Sequence, residues 1–279
     1  GIGGKRGGYV VVGTSTAGAT VTTCDFLCDG TADDVEINAA IQQAKELNLG
    51  VLLLNGTYNV ANTIKLSGIS LKGISFRSTI LNRTSVSFDY LVEISNYGVL
   101  SDVTLNSDFG LQSLTSAEIY VFYTAIVQNV VIWDYPNIGI LTSGDISSSG
   151  GALGTISLEN VSASGGPNAS YSFQIIKCTS SPTFSYIKNC TFDKTAQMII
   201  CGGGSYGMSV ANCSFDNLDI INSEMCIVSG CTFSGNISVS QSGASKCASN
   251  LINKSRLLTA PWKALPHLAR ESCESVPLQ

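Results

Sequence analysis

"IKNCTF" (187–192), "VANCSF" (210–215) and "VSGCTF" (228–233) are three versions of one six-residue phrase. Earlier versions are "LKGISF" at 71, "LSDVTL" at 100, "VQNVVI" at 127 and "LENVSA" at 158. Successive starts are 29, 27, 31, 29, 23 and 18 residues apart. Each phrase reads as strand, one bent residue, strand. Asn, Asp or Gly stands at the bend because these residues tolerate the left-handed conformation. The irregular spacing fits a solenoid of strands with loops of variable length, not a helical repeat. Stacked coils would place Asn129, Asn160, Asn189 and Asn212 in a ladder, with Gly73, Asp102 and Gly230 in the same position. Their amides could then hydrogen-bond along the axis. The next column holds Ile74, Val103, Val130, Val161, Cys190, Cys213 and Cys231 and is expected to point inward. Cysteine there would act as a small hydrophobe; disulfide or redox chemistry is the alternative.

Ahead of the repeats, "CDGTADDVEINAAIQQAKELNLGVLLLNGTYNV" runs from Cys28 to Val60. Ile37, Ala40, Ile41, Ala44 and Leu47 fall on one helical face. Thr31 with Asp34 has capping-box spacing, and Asn48 and Gly50 can stop the helix. Asp33 and Asp34 suit the positive helix end, so a structural job is expected for them before a catalytic one. Val51–Leu54 reads as a buried strand and Asn55-Gly56 as a turn.

Of the 279 residues, 44% are hydrophobic and 13% charged, and the net charge is −5. With no basic cluster beyond Lys5-Arg6, a nucleic-acid footprint is not expected. No apolar run is long enough to suggest membrane insertion. The start at Gly1 reads as a processed end. The ten cysteines show no paired CxxC spacing, which argues against a structural zinc site. "FQIIKC" (173–178) and "AQMIIC" (196–201) align, which makes Cys178–Cys201 the internal disulfide candidate.

The capped helix, the strand "GVLLLNGTYNV" and the Asn-punctuated coils resemble the pectate lyase (pectin-lyase-like) superfamily. The resemblance implies an all-β fold: a right-handed, single-stranded parallel β-helix with an N-terminal capping α-helix. It implies a capping module over 1–60, coils over 61–245, and a cap, arm or tail over 246–279. The opening helix would be a lid, because an open solenoid end exposes apolar surface and unpaired strand edges. The superfamily includes polysaccharide lyases, hydrolases and viral tailspikes. The resemblance therefore implies a polysaccharide or cell-surface glycan as partner, an extracellular or virion-surface location, and a homo-oligomer, with a trimer favoured.

Catalytic residues do not carry over with the resemblance. The one histidine, His267, lies outside the repeats and reads as a surface residue. There is no Arg-x-Lys, and "NSD" (106–108) is a lone fragment of a hydrolase motif. One constellation remains, on the column Trp133, Ser164, Asp193, Asp216 and Ser234. Asp193 and Asp216 would stack roughly 5 Å apart. They could act as nucleophile and acid of a retaining glycosidase, or share a Ca²⁺, the one ion considered since no cofactor is expected. Trp133, Asp134 and Tyr135 offer aromatic faces and an acid for sugar contact. Gln174, Gln197 and Asp219 complete the ligand-contacting set. The function read here is a polysaccharide-recognising β-helix, with degradation by a glycoside hydrolase or polysaccharide lyase left open. The alternatives are a non-catalytic structural or adhesion β-helix and, more weakly, a calcium-dependent lyase.

The third strand of each coil is apolar on both faces: "NIGIL" (137–141), "SFQII" (172–176), "AQMII" (196–200) and "NLDII" (217–221). Ile140, Ile175, Met198 and Ile220 are expected inward, and Leu141, Ile176, Ile199 and Ile221 outward. A strand apolar on both faces is covered on both, so the outward stripe calls for a second copy or for the C-terminal arm. That arm, "LLTAPWKALPHLARESCESVPLQ" (257–279), breaks the repeat.

Overall fold

The computed structural model describes residues 8–107, 117–143, 155–177, 183–200, 206–221, 225–240, 246–248 and 251–252. Among them, 28 strands form three sheets of eleven, nine and eight strands, here called A, B and C. Neighbouring strands are parallel throughout, and within each sheet the partner lies about one coil away in sequence. This is a parallel β-helix. Each coil contributes one strand to each sheet, and the side chains turned inward fill a single bore.

The repeat phrase spans the corner from sheet A to sheet B. Asp102, Asn129, Asn160, Asn189, Asn212 and Gly230 adopt φ of +52° to +62°. From Asp102 to Asn189 the expected ladder forms: the Asn129 amide donates to Asp102 at 2.9 Å, Asn160 to Asn129 at 3.0 Å and Asn189 to Asn160 at 3.4 Å. At Gly230 a Cβ would stand 2.5 Å from the Asn212 side-chain oxygen. Gly73 occupies the corresponding place without the left-handed bend. It is required for another reason, since a Cβ there would meet the Asp102 carbonyl at 2.3 Å.

After the bend, Val103, Val130, Val161, Cys190, Cys213 and Cys231 are buried in the bore, and none of the three cysteines is in a disulfide. Ile74 departs from the expected column and is 49% exposed. Residues 74–78 form an extra loop at that corner, and the buried Thr79 beyond it takes the inward place beside Val103. Further along the phrase, Phe192, Phe215 and Phe233 continue a stack begun by Phe173, with centroids 5.5–6.1 Å apart.

The first helix, α1 (Asp34–Leu47), buries Ile37, Ala40, Ile41 and Ala44 in the same core cluster as the coils. It therefore closes the N-terminal end. Leu47 shares the periodicity but is 52% exposed. The expected Thr31 cap is not made: Asp33 is the N-cap residue, without a side-chain cap bond. Both acids instead tie the helix to the coils. Asp33 accepts N–H groups of Gly30 and Asn59 at 2.8 and 2.7 Å, and Asp34 accepts that of Ala61 at 2.8 Å. Asn38 completes the lid on the free edge of sheet C. Its amide donates to Thr63 O and accepts from Lys65 N, which satisfies edge groups that would otherwise invite another strand.

Sheet C differs from expectation in register. Ile140 pairs with Phe173, Phe173 with Ala196 and Ala196 with Leu218, all buried. Ile175, Met198 and Ile220 do pair in one column as expected, but it continues Thr142, two positions beyond Ile140. A slip of two preserves the face, because side chains alternate with period two. The outward partner of Leu141 is consequently Gln174, not Ile176. Ile176, Ile199 and Ile221 do share one column by backbone register; their side chains lie outside those described. Leu141 itself packs with Ala117 and Ile138 in a small second cluster bordered by Tyr90, Tyr120 and Tyr171.

Candidate functional site

The outward face of sheet B carries one continuous column, polar except at Trp133. Backbone pairing aligns Asn59, Asn82, Asn106, Trp133 and Ser164. Asp193, Asp216 and Ser234 extend it, each through an N–H bond to the preceding coil. Asn106 donates to Asn82 at 3.0 Å, and Asn82 to Asn59 at 3.1 Å. This second amide ladder was not read from the sequence, because its asparagines fall outside the bend of the phrase. Asn106 of "NSD" thus has a structural partner; Asp108 lies outside the described residues.

Trp133 follows the ladder and is 52% exposed. Asp134 then turns into the left-handed region at φ +52°, and the register with the next strand shifts between Trp133 and Tyr135. That bulge separates the two aromatic rings. Tyr135 is turned into the core and is fully buried, so the expectation of a second sugar-facing ring does not hold. Room for it comes from Gly165, where a Cβ would stand 2.7 Å from the ring. Burial pushes the Tyr135 phenol up, which keeps it a donor.

Asp193 is the hub of the corner. Its carboxylate accepts the Tyr135 hydroxyl at 3.2 Å, the Ser164 hydroxyl at 3.1 Å, the Gly165 N–H at 3.1 Å and the Ser172 hydroxyl at 3.4 Å. Ser172 in turn lies 2.7 Å from the Tyr135 hydroxyl and accepts the Lys194 N–H at 2.9 Å. Asp216 accepts the Ser234 hydroxyl at 2.9 Å and the Asn217 amide at 2.8 Å. The two carboxylates share a column, but Asp193 is engaged by preceding coils and Asp216 by the following one.

Around the corner on sheet C, Gln174, Gln197 and Asp219 are paired as neighbours on the outward face. The Gln174 amide donates to Gln197 at 2.7 Å. Burial raises the Asp219 carboxyl. The structure therefore divides the candidate residues between two faces: Trp133, Asp134, Asp193 and Asp216 with sheet B, and Gln174, Gln197 and Asp219 with sheet C. The Cys178–Cys201 candidate, His267 and the arm over 257–279 lie outside the described residues. Among the described residues, one His/Cys/Asp/Glu grouping has ligand atoms within 4.8 Å of one another, Cys28 with Asp33 and Glu36. It belongs to the lid and not to the Asp193–Asp216 column.

No protein-family profile and no curated protein matches this chain. Among solved structures, it is similar to pectin methylesterase from Erwinia chrysanthemi, at 9% identity over 91% of this chain and 94% of that one, with a TM-score of 0.47. A second similar structure is the Agl-KA catalytic domain, at 16% identity over 89% of this chain and 57% of that one, TM-score 0.44. A third is the tailspike protein of Acinetobacter phage vB_ApiP_P1, at 10% identity over 94% of this chain and 67% of that one, TM-score 0.40. None of these likenesses transfers an activity to this chain.

Proposed function

We propose that this chain recognises a polysaccharide on the outward face of sheet B, at an extracellular or virion surface. The carrying observation is the exposed Trp133 indole, set in a column of amides, hydroxyls and carboxylates. An indole offers a flat apolar face for a sugar ring, and the flanking polar groups can pair with ring hydroxyls. Asp134, exposed on the bulge beside it, and Asp216 supply acceptors. The sheet C residues Gln174, Gln197 and Asp219 form a second, separate contact row in this proposal. Such a protein would work as a homo-oligomer, a threefold bundle in the first instance. Light scattering would then return a multiple of 29.2 kDa.

A non-catalytic structural or adhesion role is the second reading, and Asp193 favours it over hydrolysis. A nucleophile needs a free lone pair aimed at the sugar, whereas this carboxylate clasps residues of preceding coils with both oxygens.

The test is a broad glycan panel combined with a reducing-sugar assay. Trp133→Ala is expected to weaken glycan binding by at least about tenfold, ~1.4 kcal/mol, while leaving the melting temperature unchanged. If the chain also cleaves as a retaining hydrolase, Asp193→Asn and Asp216→Asn each abolish sugar release. A wild-type chain that binds nothing and releases nothing overturns the glycan proposal and leaves the structural role standing.

A further inference from the structure

Around the exposed Trp133 indole the outward face of sheet B is negative. Asp134 stands exposed beside the ring, on the bulge. Asp193, exposed, and Asp216, half-buried, follow Trp133 on its own column. At the strand spacing they lie roughly 10 and 14 Å along the axis from Trp133 and roughly 5 Å from each other. Among the described residues the donors to these two carboxylates are all neutral: the hydroxyls of Tyr135, Ser164, Ser172 and Ser234, the Gly165 N–H and the Asn217 amide. They satisfy oxygens without cancelling charge. The ion pairs among the described residues lie elsewhere, at Lys72–Asp102, Arg83–Glu118 and Lys188–Glu159. The neighbouring outward column, Val131, Ser162, Thr191, Ser214 and Thr232, carries no charge. Lys194, at the turn to sheet C, is the base nearest in sequence and is not among those pairs. Three carboxylates against one lysine leave this face net negative.

That charge has consequences for a ligand. Like charges one coil apart repel, so a cation seated over Asp193 and Asp216 relieves a cost that the protein itself leaves standing. The same carboxylates reject a uronate, a sulfate or a phosphate. The indole is complementary in the same sense, because its electron-rich face attracts a cation as well as the apolar face of a sugar ring. A sugar ring spans about one coil spacing. A chain lying along the axis with one ring on Trp133 therefore brings later rings over Asp193 and Asp216. Ring hydroxyls can pair with these oxygens, but only a charged group answers their charge.

We infer, resting on the glycan reading of sheet B, that the polymer bound there is an amino-sugar polysaccharide with free, protonated amines. One amine faces Asp134 at the indole, and later ones face Asp193 and Asp216. A lysine-rich peptide would meet the carboxylates but would bring no ring to stack on Trp133, which favours the sugar.

The experiment measures binding to the full-length chain by calorimetry, at a pH where amines are protonated. Four probes are compared: a β-1,4-linked glucosamine hexamer, the same hexamer fully N-acetylated, a galacturonate hexamer and hexalysine. The glucosamine hexamer should bind about tenfold more tightly than its acetylated form, and the galacturonate hexamer should not bind. The preference should shrink at high salt, as it does for exposed charge pairs. Asp134→Asn and Asp216→Asn should each narrow it by about two- to fivefold, with unchanged melting temperatures, and Trp133→Ala should weaken both sugar hexamers. An acetylated hexamer bound as tightly as the free amine, or a galacturonate hexamer bound in preference, overturns the amine inference and leaves the sheet B reading standing. Hexalysine bound as tightly as glucosamine, and unaffected by Trp133→Ala, also overturns it, because charge alone is then recognised. Binding of none of the four overturns it too, and the broad glycan panel then decides whether the sheet B reading falls with it.

Discussion

Arg83→Met is expected to destabilise the fold by about 3–5 kcal/mol, because it strands a buried carboxylate. Arg83 and Glu118 are both buried, with Nη1 3.4 Å from Oε1. The guanidinium also donates to the carbonyls of Ser85 and Phe88 and lies over the Phe88 ring. Ser107 donates to the same Glu118 oxygen at 2.7 Å. Among the described residues the other carboxylate oxygen, Oε2, is buried without a partner, so Arg83 carries most of the compensation. Burial pushes the Glu118 carboxyl up, and Arg83 opposes that shift. Removing Arg83 raises it further. A carboxyl raised in the folded state keeps its proton there while the unfolded chain releases one. The penalty is therefore absent below the ordinary value of 4.5 and grows as pH rises through and above it. Denaturant unfolding of Arg83→Met should show a larger deficit at pH 8 than at pH 4.5. The double variant Arg83→Met/Glu118→Leu should recover most of the loss, since an apolar pair of similar volume replaces the ions. A single variant as stable as wild type at pH 8 would show that this pair does not hold the sheet B to sheet C corner together.

Ile41→Asp is expected to unfold or aggregate the chain. Ile41 has no exposed surface and sits in the core cluster where α1 closes the bore. A carboxylate placed there without a partner costs several kcal/mol, against a typical total stability of ~5–15 kcal/mol. It would also lift the lid from the unpaired edge that Asn38 covers. Leu47→Asp, on the same helical periodicity but exposed, should stay within about 0.5 kcal/mol of wild type. Thermal melts of the two variants compare like with like: one helix, one chemistry, two burials. Equal melting temperatures would mean that α1 is not a lid.

The candidate site was legible in part. Aligning the repeat phrases placed Trp133, Ser164, Asp193, Asp216 and Ser234 in one column, and the structure has them so. Their hydrogen bonds could not be read from the alignment. The partners of Asp193 are Tyr135, Ser164, Gly165 and Ser172, 21 to 58 residues away in sequence, and no local pattern announces such a clasp. Tyr135 was misplaced because period-two alternation assumes an unbroken strand, and the left-handed Asp134 breaks it.

What the sequence determined by itself was the coil. A left-handed bend admits few residue types, so Asn, Asp and Gly at the phrase's third position marked the sheet A to sheet B corner. The apolar positions around it then set which face is buried, cysteines included. Tertiary structure alone decided register and loop insertion. Sheet C strands are apolar on both faces, so slips by two residues look alike in sequence, and only packing against Phe173, Ala196 and Leu218 chose between them. Ile74 likewise matches its column letter for letter. It stands outside the core because residues 74–78 leave the coil, and the chain closes on Thr79 instead.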